Sequence, residues 1–128
     1  MPVVYEIDGT RKRVTITARG VVAMADFMEN RLQLRVDPRR TLDMDVLVDL
    51  AGASTFHVTT PEIWAAAWES EPAASTAPGT RVAIVAPAPE AFGLSRIYEQ
   101  ARGGNGPEVV RVFRTGEEAE AWLRGPRF

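Results

Sequence analysis

The residues with the most chemical capacity lie between 54 and 71, where the chain reads STFHVTTPEIWAAAWESE. This stretch holds the sole histidine, His57, several hydroxyl residues, and two of the three tryptophans, Trp64 and Trp68. A hydrolytic Thr-His-Asp set could be drawn from Thr59, His57 and Asp49. However, Thr59 and His57 are two positions apart in what reads as a loop, and no nucleophile-elbow motif surrounds them. One histidine and no cysteine cannot supply the several ligands that a metal site of the usual kind needs. The sequence therefore predicts no catalytic residue, no metal and no cofactor, and a chain that is not an enzyme.

The hydroxyl pair Thr59-Thr60 has a plainer chemistry. Thr60 before Pro61 and Glu62 reads as a helix N-cap with proline at the first helical position, where the missing N–H is no loss. Thr59 with Glu62 has capping-box spacing, an alternative start for the same helix. The free N–H groups of such an end also favour phosphate. Phosphorylation of Thr59 or Thr60 would add a charge of about −2 where the helix tolerates it. Trp64 and Trp68 are four apart and share a helix face. They pack on a sheet, meet a partner, or line a pocket together with Phe92 and Tyr98.

Two further clusters read as structural. Arg31, Arg35, Arg39 and Arg40 gather near the end of the first helix, where cations are favoured. With Asp37, Asp43 and Asp45 interleaved they form a solvated face, with an anion site as the minor reading. Gly103, Gly104 and Gly106 have no lysine after them and are not a phosphate loop.

The positioning elements follow from periodicity. The 128 residues suit one domain, 1–128, with 45% hydrophobic and 25% charged residues as in ordinary globular chains. VVYEI (3–7) and RVTITARG (13–20) are strands joined by an Asp8-Gly9 hairpin turn. A helix is expected over 23–36, with Met24, Phe27, Met28, Leu32 and Val36 inward, ended by Asp37-Pro38. VLVDL (46–50) and RVAIVAP (81–87) are runs suited to strands covered on both faces. Helices are expected over 61–70 and 89–102, a fifth strand over 109–113, and a last helix after the capping box Thr115 to Glu118. The order ββαβαβαβα predicts a mixed α/β sheet of five strands, antiparallel at its start and parallel after. Helices on one face or on both satisfy the pattern equally.

That order and three stretches, VLVDLAGASTFHVTTPEIWAAA, RVAIVAPAPEAFGLSRIYEQAR and VVRVFRTGEEAEAWL, resemble the SpoIIAA-like (STAS) fold. The chain looks like a group of uncharacterised bacterial STAS/SEC14-like proteins, related in fold to anti-sigma factor antagonists. The resemblance implies a regulatory protein-interaction domain. In the antagonists a partner kinase phosphorylates a hydroxyl residue opening the helix after the third strand, which falls here on Thr59 or Thr60. The aspartate usual before that residue is absent, Pro61 follows it, and the turn is slightly longer. The SEC14-like side of the resemblance implies the alternative, a binder of an apolar or lipid-like small molecule.

Partners are bounded by charge and hydropathy. A net charge of −2 gives no basic field for nucleic acid. No run approaches a membrane span, and the N-terminus has no signal-peptide pattern, so a cytoplasmic location is expected. A protein partner is expected, and a symmetric homodimer is compatible with the chain.

Overall fold

In the computed structural model, which describes residues 1–68, 77–103 and 108–126, each parallel strand is added to the same edge of the sheet. The strands are β1 (Val3–Asp8), β2 (Arg13–Ala23), β3 (Asp45–His57), β4 (Arg81–Val85) and β5 (Val109–Phe113), in spatial order 1-2-3-4-5. β1 is antiparallel to β2, and all later pairs are parallel. Four helices complete the described residues: α1 (Met24–Arg35), α2 (Thr60–Trp68), α3 (Pro89–Arg102) and α4 (Gly116–Arg124). None of these helices is long and apolar enough to cross a membrane.

Crossovers of one hand that always advance in one direction must lay their helices on one face. The packing follows this rule. Phe27 of α1 and Ala91, Phe92 and Tyr98 of α3 pack with Val48, Leu50, Val82 and Ile84. The terminal helix α4 needs no crossover and folds back over the other face. There Ala119, Trp122 and Leu123 meet Leu47, Ala83, Val85 and Phe113. Alternation along β3 and β4 therefore sends even-numbered side chains to α1 and α3 and odd-numbered ones to α4. On the α4 face, Arg13 and Glu120 form a 2.6 Å ion pair.

Several sequence expectations shift. The first hairpin closes through residues 9–12, with Asp8 Oδ1 accepting from the N–H groups of Thr10 (3.0 Å) and Arg11 (3.1 Å). The left-handed residue is Lys12 (φ 55°), not Gly9, and its ammonium is held by Asp43 at 2.9 Å. β3 continues seven residues past the expected end at Leu50, because β2 also runs on and pairs Gly20 with Ala53, Val22 with Phe56 and Ala23 with His57. Gly20 (φ 69°) sits at the irregularity that re-registers the two strands. A side chain there would be strained.

The inward face of α1 also differs. Leu32 and Val36, expected inside, are exposed, whereas Asn30 and Leu34 are buried. The helix is rotated so that Arg31 and Arg35 join Met24, Phe27, Met28 and Leu34 on the side facing the sheet. α2 is described from Thr60 to Trp68, so Ser70 lies outside the described residues, as do the glycines at 104 and 106.

Candidate functional site: an apolar chamber edged with arginines

The helical layer does not close tightly on the sheet. Between α1, α2, α3 and the strands lies a cavity of about 290 Å³. Its floor is the even-numbered face of the sheet: Ile16 of β2, Val46, Val48 and Leu50 of β3, and Val82 and Ile84 of β4. Branched side chains belong there because they pack well on a pleated surface. Its walls are Phe27 and Met28 of α1, Ile63 and Ala66 of α2, and Leu94 and Tyr98 of α3. The small residues of the Ala-rich α2 keep this space open, since Ala66 ends at Cβ where a larger residue would fill it.

The polar part of the lining is concentrated. Among the described residues it contains four arginines, Arg31, Arg35, Arg40 and Arg102, and one carboxylate, Glu108. Glu108 is already engaged, its Oε2 accepting from Arg102 Nη2 at 3.1 Å, and Arg102 also donates to the Ala67 carbonyl at 3.2 Å. Arg31 donates to the Ala66 carbonyl at 3.3 Å and to the Tyr98 hydroxyl at 3.4 Å, both long contacts. Arg40 is half-buried and pairs with no carboxylate among the described residues. Burial, and then the charge of Arg35, lower its pKa below the ordinary arginine value. Both effects penalise its charged form. The fourth member of the expected basic cluster, Arg39, turns away and clasps Asp37 at 2.7 Å.

The threonines resolve into a cap. The Thr59 N–H donates to Glu62 Oε1 at 2.8 Å, and the Glu62 N–H donates to Thr59 Oγ1 at 3.3 Å. This reciprocal pair is a capping box with Thr59 as N-cap, so Thr60 and Pro61 are the first helical residues. Both threonines are exposed. His57 ends β3 at the surface rather than in a loop. Asp49 accepts from the Ala51 N–H at 2.9 Å. Eight strand positions, roughly 25 Å, separate Asp49 from His57, so Thr59, His57 and Asp49 do not assemble.

The four aromatics part company. Tyr98 lines the chamber. Phe92 packs against the core beside it, covered by the Arg114 guanidinium at 4.0 Å from the ring centroid. Trp64 faces outward and is 44% exposed. Trp68 ends α2, and its side chain lies outside the described residues. Sequence reasoning missed Arg31 and Arg35 as chamber residues. The signal was present: Arg31 lies four and three positions after Phe27 and Met28, and Arg35 four after Arg31, so they interrupt an otherwise apolar stripe.

Among solved structures the chain is similar to an uncharacterised protein of the DUF3478 family with a SpoIIAA-like fold from Shewanella loihica PV-4. The two are 15% identical, with a TM-score of 0.56 over 94% of this chain and 93% of that one. The fold of this chain is SpoIIAA-like. No family model and no curated relative matches the chain.

Proposed function

We propose that this chain is a binding domain that takes up a small apolar molecule in the chamber between helices and sheet, without chemical change to it. The observation that carries the reading is the chamber itself. Its volume of about 290 Å³ sits at the lower edge of the ~300–1,000 Å³ typical of ligand pockets. The pocket is partly open, so its aliphatic floor is apolar surface left against solvent, which a ligand would cover. Water is a poor filler, because it needs two to four polar partners and the floor offers only aliphatic side chains.

A second reading, regulatory protein interaction, is favoured by a different observation. Trp64 stands exposed on the helix that Thr59 and Thr60 open. Aromatic residues of this kind often anchor interfaces. A phosphate on either threonine would change the surface presented next to Trp64, and on Thr59 it would also displace the Glu62 carboxylate by repulsion.

Native mass spectrometry on protein purified gently from its own cells separates the two. The binding reading expects a noncovalent organic adduct, released by organic solvent and absent when Val48→Phe or Ala66→Phe fills the chamber. A mass increment of one phosphate mapped to Thr59 or Thr60, with the chamber empty, would favour the second reading instead.

A further inference from the structure

Charge sits on one part of the chamber lining, and one of its cations, Arg40, meets no carboxylate among the described residues. Arg31 and Arg35 lie one helical turn apart on α1, and Arg40 follows in the segment after the helix; all three face the chamber. Glu108, the one carboxylate among the described lining residues, is already engaged by Arg102 from α3. The contacts of Arg31 to Ala66 and Tyr98 engage two of the five donors a guanidinium carries. Arg40 has no anionic partner among the described residues and carries the added repulsion of Arg35. A half-buried Arg40 without a carboxylate among the described residues, at the edge of an aliphatic chamber, is an expensive arrangement for a site meant for a neutral hydrocarbon, since buried charge is normally paired. The same arrangement complements a molecule with an apolar body and an anionic end.

Resting on the chamber reading above, we propose that the ligand is an amphiphilic organic acid, its tail on the Ile16–Val48–Ile84 floor and its carboxylate held by Arg40 and Arg31. Arginine suits this role because its planar fork donates to both oxygens of a carboxylate. Size narrows the class. An apolar void of about 150 Å³ takes up benzene, and this chamber is about twice that, room for an acid of medium chain length such as decanoate. Arg40 is the residue to test, because its guanidinium makes none of the structural hydrogen bonds that Arg31 makes to Ala66 and Tyr98.

Calorimetric titration of the full chain with decanoate, decanol and inorganic phosphate tests this, with Arg40→Gln and Arg40→Lys beside the parent and thermal unfolding as a check on folding. The expected result is decanoate binding at least about tenfold tighter than decanol, with no measurable binding of phosphate alone. Arg40→Gln should remove most of that preference by weakening decanoate and leaving decanol unchanged, and Arg40→Lys should keep part of it. Equal binding of decanoate and decanol, or an Arg40→Gln variant with undiminished preference, would overturn the acid assignment while leaving the chamber reading standing. Phosphate binding as tightly as decanoate would make the arginines a free-oxyanion site and overturn it as well. Binding of neither amphiphile would defeat the assignment together with the chamber reading.

Discussion

Arg31 on α1 donates through Nη2 to the phenolic oxygen of Tyr98 on α3 at 3.4 Å, so one guanidinium ties two helices around the chamber that both residues line. The contact is longer than a good N–H···O bond, at ~2.7–3.2 Å, and half-solvated. Tyr98→Phe removes it without changing the volume of the wall. The expected change in stability is within about 0.5 kcal/mol, read from the urea midpoint. Arg31→Met loses the Ala66 carbonyl as well and should be destabilised by about 1 kcal/mol.

The cap at the start of α2 gives a sharper asymmetry between adjacent threonines. Thr59 makes the reciprocal bonds with Glu62, whereas Thr60 is an exposed first-turn residue. Thr59→Ala should lower stability by about 1 kcal/mol. Thr60→Ala should fall within about 0.5 kcal/mol. Denaturant unfolding of the two single variants reads the difference directly.

Acid stability should carry the signature of Asp37. Its carboxylate accepts from the Arg39 side chain, the Arg39 backbone N–H and the Tyr5 hydroxyl, which together hold its pKa well below the ordinary carboxylate value. A depressed folded-state pKa contributes stability that is fully present above the unfolded value, about 3.9. That contribution is lost as pH falls toward the folded value. Asp37→Asn should therefore be less stable than the parent at neutral pH, and the gap should narrow progressively below about pH 4. A gap that stayed constant down to the most acidic folded conditions would contradict this.

On the opposite face, Arg13 is nearly buried, with 10% of its side chain exposed, and meets Glu120 at 2.6 Å. Glu120→Gln leaves a buried guanidinium facing a neutral amide and should be destabilised by about 1–3 kcal/mol. Replacing both partners by apolar residues, Arg13→Met with Glu120→Leu, should recover much of the loss, because neither charge then remains unpaired. Chemical denaturation of the single and double variants closes the cycle.

Much of the fold was legible in sequence because its signals were local. The runs VVYEI, VLVDL and VVRVF, the Asp37-Pro38 stop and the Thr115–Glu118 box each marked an element found in place. The errors came where a tertiary partner outvoted local chemistry. The segment AGASTFH reads as a turn, yet an extended β2 pairs with it and makes it strand. The apolar count on α1 favoured Leu32 and Val36, while the chamber draws in Arg31 and Arg35. A pocket was one sequence reading, but its actual lining could not be read, because a void is a property of how helices sit on a sheet and of side chains that are not there. Tyr98 was the one aromatic of the four proposed that reaches it among the described residues.

The most direct test of the account is a fluorescence titration with the neutral apolar probe N-phenyl-1-naphthylamine on the parent chain and on Val48→Phe and Ala66→Phe, each checked for cooperative unfolding. Val48 stands on the floor and Ala66 in the wall, so either ring fills space that the ligand needs. The account predicts saturable enhancement at one probe per chain for the parent and its loss in both folded variants. No saturable binding to the parent, or undiminished binding to both plugged variants, would contradict the chamber as the binding site.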